Sequence, residues 1–264
     1  MSGGIPTGMS MTVETPKVKY SICITHRNCV ETVKDSLDSI LSQVDGAFEV
    51  IVVDGRSDDG SEEVLEGYRR SGKIKLITKG CSRGLGRQTA LDNSRGDYII
   101  SHIDMDDIYA PKLHELIDHY HAKCEGRVMV AISGPGDWTQ NVTIGPRELI
   151  LGIGGWNDLQ YGDDWDLWSR AAASSKYSWT IFPMSTRHER RKSRSGALRT
   201  TRFRFRKYRD GLRLGRDVFR KEDEVSFSQK ATRLAARLSL VVYPSALKGG
   251  NREFRAADPA YFVA

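Results

Sequence analysis

The chain has 264 residues, 39% of them hydrophobic, and a formal net charge of +6 at pH 7. That is enough for one large packed domain with an appendage, and no run reaches the roughly 18–20 apolar residues of a membrane-crossing helix. Met1 to Tyr20 contain no apolar stretch of the secretory kind, and the four cysteines (Cys23, Cys29, Cys81, Cys124) lack paired metal-type spacing, so reduced thiols in a cytoplasmic protein are expected. Residues 1–17, rich in Gly, Ser, Thr and Pro, read as a loose tail. Then Val18–Thr25 reads as a strand, Val30–Leu41 as an amphipathic helix and Phe48–Asp54 as a nearly all-apolar strand. Ser61–Arg70 reads as a helix, Ile74–Thr78 as a strand, Leu85–Asn93 as a short helix and Tyr98–Ile103 as a strand. Pro111–Cys124 follows as a helix with Pro at its first position, and Val128–Ile132 as a strand. Beyond it the pattern turns irregular and Trp-rich through Gly152-Ile153-Gly154-Gly155-Trp156, before a helix near Trp165–Ala173 and a strand near Tyr177–Phe182. This alternation predicts an α/β fold with a doubly wound, mostly parallel sheet.

The modest net charge hides an asymmetry. Residues 187–221 hold fifteen Lys/Arg against three Asp/Glu, a net +12, which leaves −6 for the remainder. The arginines there interleave with Phe203, Phe205, Tyr208, Leu212, Leu214 and Phe219. Such a segment seeks phosphates, on an anionic membrane surface, on RNA or on a polyanionic substrate. Packing against the domain as a solvated basic helix is the structural alternative.

Two acidic clusters carry the chemistry. The strand Tyr98–Ile103 empties into Asp104-Met105-Asp106-Asp107, and the end of a sheet strand is where open α/β folds place a ligand crevice. Carboxylates two apart in an extended segment share a side, so Asp104 and Asp106 can meet one hard cation. About sixty residues later, Asp163-Asp164-Trp165-Asp166-Leu167 opens a helix, where acidic side chains either cap the helix or act as a base. A third carboxylate, Asp54, ends the strand Phe48–Asp54 ahead of a Gly/Ser/Asp loop, a position suited to a nucleobase or ribose. Arg83-Gly84-Leu85-Gly86-Arg87 resembles a phosphate loop at a helix start, with both arginines available to an anion.

Taken in order, these segments resemble the family 2 glycosyltransferases of the GT-A fold over roughly Val18 to Arg190. The matching pieces are Val53-Asp54-Gly55-Arg56-Ser57-Asp58-Asp59-Gly60, Gly86-Arg87-Gln88, Ile103-Asp104-Met105-Asp106-Asp107, Gly154-Gly155-Trp156 and Asp163-Asp164-Trp165-Asp166-Leu167. The first strand departs from the family's Pro-Thr-Tyr-Asn ending, reading Thr25-His26-Arg27-Asn28, which leaves the nucleotide base open.

The resemblance implies an inverting transferase that moves a sugar from a nucleotide-diphosphate-sugar to a hydroxyl of an acceptor, a glycan carried on lipid. It assigns Asp164, with Asp163 beside it, to base catalysis. Nucleotide-sugar binding falls to Thr25, Asn28, Asp54, Arg83, Arg87 and Asp104, and acceptor binding to Gly155, Trp156 and Trp165. Asp104, Asp106 and His188 would hold Mn²⁺ or Mg²⁺. Two other readings compete: a polyprenyl-phosphate glycosyl synthase, whose ionised acceptor needs no base, and a basic RNA- or membrane-binding protein with a degenerate transferase domain. The expected organisation is a tail over 1–17, a GT-A domain over 18–190 and a basic, helical, amphipathic extension over 191–264. The expected location is the cytoplasm, with residues 187–221 resting on the membrane's cytoplasmic face in preference to nucleic acid.

Overall fold

The computed structural model describes residues 17–135, 137–188, 197–214, 227–242 and 256–264. Strands β1 (Tyr20–His26), β2 (Phe48–Asp54), β3 (Lys75–Thr78) and β4 (Tyr98–Ile103) alternate with helices α1 (Val33–Leu41), α2 (Ser61–Arg70) and α3 (Arg83–Asp92). There follow β5 (Asp107–Tyr109), α4 (Leu113–Lys123), β6 (Val128–Gly134), β7 (Asp137–Pro146), α5 (Arg147–Gly152), α6 (Asp163–Ala173), β8 (Tyr177–Ile181) and β9 (Ser185–His188). Two C-terminal helices, α7 (Ala197–Arg213) and α8 (Phe227–Val242), and a short 3-10 helix at Pro259–Tyr261 complete the described chain.

Seven strands form one sheet in the order β3-β2-β1-β4-β7-β6-β8. Only β7 runs against the others, pairing antiparallel with β4 and β6, so the sheet is mixed with a parallel core. Because strand side chains alternate, β1, β2 and β4 feed two apolar layers. Ile22, Ile24, Val50, Val52 and Ile100 meet Val33, Leu37 and Ile40 of α1, Leu65 of α2 and Leu113 and Leu116 of α4. Cys23, Ile51, Val53 and Ile99 meet Ala90 and Leu91 of α3 and Leu167, Trp168 and Ala171 of α6. Helices on both faces make this the doubly wound α/β arrangement expected from the sequence.

The bounds of β2, α2 and β4 agree with the sequence reading, whereas α4 begins at Leu113, two residues after Pro111. The reading passes over β7, a central strand whose buried Thr143 looks polar in sequence but accepts a hydrogen bond from Trp168 Nε1 at 3.2 Å. Residues 256–264, assigned to the extension, lie against the edge of β8, where Trp179 Nε1 donates to the Asp258 carbonyl at 2.9 Å and Val263 N–H to the Trp179 carbonyl at 2.9 Å. All four cysteines are free thiols, three of them buried.

At the end of β4 the pairing slips. Ile22 faces Ile100 and Ile24 faces Ile103, so two residues of β4, Ser101 and His102, stand against one of β1. His102 takes φ 62°, left-handed backbone that a non-glycine residue adopts only when its surroundings impose it. The bulge lies directly before the acidic loop.

Candidate functional site

The carboxyl ends of β1, β2 and β4 and the amino ends of α3 and α6 bring the sequence-predicted residues to one side of the sheet. The acidic loop after β4 is fastened by three hydroxyls. Asp104 N–H donates to the Tyr109 phenol oxygen at 2.7 Å, and the same phenol donates back to the Asp104 carbonyl at 3.1 Å. From α1 and the turn before it, Ser36 donates to the Asp104 carbonyl at 3.3 Å and Thr32 to the Met105 carbonyl at 2.6 Å. Burial and the charges of Asp104 and Asp107 hold the Tyr109 phenol well above the ordinary range, so it stays a donor at all working pH values. Met105 is buried beneath the loop, and the Asp104 side chain is 39% exposed above it. Sequence reasoning passed over Tyr109, Thr32 and Ser36, since a hydroxyl three residues or about seventy residues from an acidic pair carries no pattern. Tyr109→Phe is expected to lower stability by about 1 kcal/mol and to loosen the loop. Thermal unfolding measures the first effect and amide hydrogen exchange across Asp104–Asp107 the second, and unchanged exchange there would reduce Tyr109 to a packing residue.

Tertiary partners separate the three carboxylates at the start of α6. Asp163 is fully buried and pairs with the Arg87 guanidinium, itself only 3% exposed. Burial raises the Asp163 carboxyl, Arg87 and Arg83 pull it down, and the net direction is upward. Asp166 is buried between Arg170 (2.6 Å) and the Asn157 amide (2.8 Å). Asp164 remains half-buried, accepting Trp165 N–H at 2.7 Å. Of the three, Asp164 alone keeps appreciable contact with solvent. Asp163, expected beside the base, is enclosed and paired with Arg87, and so braces α3 against α6.

The Arg87 guanidinium is likewise enclosed, with Asp163 at one amino group and Asp104 3.9 Å from the other, so it links the two acidic clusters. Arg83 takes the opposite disposition. Its side chain keeps contact with solvent, yet partial desolvation by the surrounding groups lowers its basicity, and the charges of Asp163, Asp104 and Asp164, with the Tyr161 phenol, more than restore it. The glycines around it answer to packing. A Cβ on Gly84 would fall 2.1 Å from the Asn157 carbonyl oxygen, and one on Gly86 would fall 2.8 Å from Thr25 Cγ2. Gly84 N–H also donates to the Leu159 carbonyl at 2.8 Å, so α3 is pressed against the segment that leads into α6.

Asn28 and Asp54 shape the neighbouring loop. Asn28 sits at φ 57°, donates to Asp58 Oδ1 at 2.7 Å and accepts the Asp58 amide at 2.9 Å. Asp54 is fully buried; it accepts Ser57 N–H at 2.9 Å and the Ser57 hydroxyl, with His26 Nε2 3.9 Å away. Thr25, half-buried at the end of β1, touches the Gly86 turn.

Gly154 and Gly155 take φ values of 95° and 61°, and the turn they make delivers Trp156 N–H to Gln88 Oε1 at 2.7 Å. Trp156 itself is 2% exposed in the core, its ring 6.1 Å from that of His102. Trp156 thus offers no open ring face, whereas Trp165 is half-buried beside Asp164. Burial, with Arg87 and Arg83 nearby, holds the His102 imidazole well below the usual histidine range and hence neutral.

Helix α7 closes over the same region. Asp210, fully buried, accepts Gln160 N–H at 2.8 Å, and Arg213 donates to the Asp158 carbonyl at 2.7 Å. Arg206 lies near Tyr161, whose phenol is raised by burial against the pull of Arg83 and Arg206. The basic segment is thus partly a structural brace for the loop before α6.

Among the described residues no three His, Cys, Asp or Glu side chains converge as a ready metal cage. Strand β9 sets His188 opposite Asp107 in register, and its side chain lies outside the described residues. The donor set nonetheless fits Mg²⁺ or Mn²⁺, which are commonly held by one or two carboxylates with substrate phosphates supplying the remaining oxygens. Asp104 and Asp106 offer that, both with solvent access.

Residues 21–157 match the family model described as Glycosyl transferase family 2. YfnE of Bacillus subtilis (strain 168), named an uncharacterized glycosyltransferase, is 38% identical over 88 residues, 32% of this chain and 22% of its own. EpsE of the same organism, provisionally named a glycosyltransferase, is 32% identical over 121 residues, 42% of this chain and 43% of its own. The matches therefore span less than half the length of these curated relatives. Among solved structures, Staphylococcus aureus TarS 1-349 in complex with UDP-GlcNAc superposes with TM-score 0.61 at 16% identity, covering 83% of this chain and 79% of that one. The mannosyltransferase PcManGT of Pyrobaculum calidifontis, in complex with GDP-Man and Mn²⁺, gives 0.55 at 17% identity over 88% and 77%. Glucosyl-3-phosphoglycerate synthase of Mycobacterium tuberculosis, with Mg²⁺ and UDP, gives 0.54 at 18% identity over 71% and 77%. At such identities these three share the GT-A fold with this chain.

Proposed function

The chain belongs to glycosyl transferase family 2, and from that premise we propose that it transfers a sugar, with inversion, from a nucleotide-diphosphate-sugar to an acceptor hydroxyl. The observation that carries this reading is the sorting at α6: two of three carboxylates are locked to arginines, and Asp164 alone stays accessible beside Arg83. A hydroxyl is a poor nucleophile and needs a base as it attacks, whereas an ionised phosphate acceptor does not.

In one displacement the acceptor oxygen bonds the sugar's anomeric carbon as the bond to the diphosphate oxygen breaks. The hydroxyl proton passes to Asp164, and the bonding pair leaves with the diphosphate. Arg83 receives that growing charge, and Asp163–Arg87 keeps α3 and α6 in register around it. Asp104 and Asp106 would hold Mg²⁺ or Mn²⁺, with His188 as a further ligand, and the ion supplies neutralisation of the leaving diphosphate. Thr25, Asn28 and Asp54 are assigned to the nucleotide side, Asp54 through the Ser57–Asp58 loop it supports. Gly155 and Trp165 are assigned to the acceptor side. The Mn²⁺ and Mg²⁺ complexes of the fold neighbours support the metal assignment. We place the reaction in the cytoplasm on a lipid-linked saccharide, with residues 18–190 as the transferase unit.

Donor hydrolysis in the absence of acceptor tests this. Incubated with a panel of nucleotide-sugars and Mn²⁺, the protein is expected to release free sugar slowly from one donor class and to lose that activity with chelator. Release from none of them, with or without metal, would count against a transferase.

A further inference from the structure

Among the described residues, the two most exposed large apolar side chains lie one helical turn apart on α8: Leu234 at 57% and Leu238 at 55%. Ala231 and Ala235, also exposed, extend the stripe at the i, i+3, i+4, i+7 spacing of one helix face. On the opposite side Thr232 and Ala236 are buried, and Arg233 lies 5.1 Å over the Tyr208 ring of α7. The leucines therefore face away from the helix pair's own interface.

Together α7 and α8 carry ten Lys/Arg and one acid, Asp210. That acid is buried between Arg209 and Arg213, so these helices present no carboxylate to solvent. Arg202, Lys207 and Arg237 are exposed. Phe205, by contrast, is half-buried, and the Phe203 side chain lies outside the described residues. Among the described side chains of these two helices, the leucines of α8 are the exposed large apolar ones.

We propose that α8 lays Leu234 and Leu238 into the headgroup boundary of an anionic membrane while the exposed cations of α7 and α8 engage lipid phosphates. Charge selects this occupant. Nucleic acid would use the cations but not a leucine stripe, and an apolar protein surface would use the leucines but gain nothing from the cations. An exposed apolar stripe beside a cationic one is what an interfacial helix requires. No helix among the described residues is long and apolar enough to cross a membrane, so attachment through this surface is peripheral.

Co-sedimentation of the full chain with vesicles tests it, using phosphatidylcholine alone and phosphatidylcholine mixed with phosphatidylglycerol. Binding is expected to the anionic vesicles only, and to weaken with salt. Arg202→Gln and Lys207→Gln should each weaken it roughly fivefold. Leu234→Ser and Leu238→Ser should each weaken it about tenfold, with folding unchanged because both sites are exposed. Acceptor-free donor hydrolysis without lipid should stay at the wild-type rate in all four variants, which keeps a failure here distinct from a failure of the transferase reading. Equal binding to both vesicle types, binding to neither, or full binding by the leucine variants overturns the proposal. So does RNA binding that the leucine variants retain and anionic vesicles do not displace.

Discussion

Asp164→Asn is expected to lower acceptor-dependent sugar transfer by roughly 10²–10⁴-fold, the usual range for loss of a general base. Folding should change little. Asp164 lies in the first turn of α6 after Gly162, where the negative charge contributes about 0.3–1 kcal/mol through the helix dipole, and asparagine keeps the acceptor that Trp165 N–H uses. Steady-state turnover with the true acceptor, alongside thermal unfolding, separates the two effects. Near-normal turnover would return Asp164 to a helix-terminus role and revive a phosphate acceptor that needs no base. Asp163→Asn makes the contrast: its partner Arg87 is enclosed, so removing the charge should appear mainly as lost stability, of about 3–5 kcal/mol if the arginine stays unpaired.

Asp106→Ala should abolish transfer and remove the Mn²⁺ dependence of nucleotide-diphosphate binding while the fold persists. The loop that carries it is held by backbone contacts from Tyr109, Ser36 and Thr32, none of which uses the Asp106 side chain. Calorimetric titration with the nucleotide, with and without Mn²⁺, reads the effect directly. A variant with the parent's Mn²⁺-dependent affinity would show that Asp106 is not a ligand.

The scaffold was legible because its signals are local. Phe48–Asp54 and Tyr98–Ile103 are apolar runs of strand length ending in carboxylates, and Ser61–Arg70 has a helical stripe with an acidic first turn and a basic last one. The order of acidic segments was legible for the same reason. What escaped is set by partners far along the chain. Nothing near Asp163 announces that Arg87, 76 residues earlier, will enclose it. The buried Thr143 of β7 is satisfied by Trp168, and β5 has only three residues, too few for periodicity to register. Trp156 and Trp165 look alike in the sequence; only packing against His102 and the core distinguishes the first, which is buried. The pair Asp166–Arg170 was within reach, since four residues apart on a helix is a readable spacing, and it would have narrowed the choice of base.

The bulge in β4 makes chain length itself a coordinate of the site. Residues an odd number apart on a regular strand point to opposite faces, yet Ile100 and Ile103, three apart, enter the same apolar layer. The extra step at Ser101–His102 resets the parity of the strand just before the carboxylates leave it. A chain lacking one residue there would keep every motif and still turn Ile103 toward the other layer, sending Asp104 out from the wrong side of the sheet. For this strand, single-residue insertions and deletions are not neutral variation: between Ile100 and Asp104 the count decides the handedness with which the acidic loop meets Arg83 and Asp164.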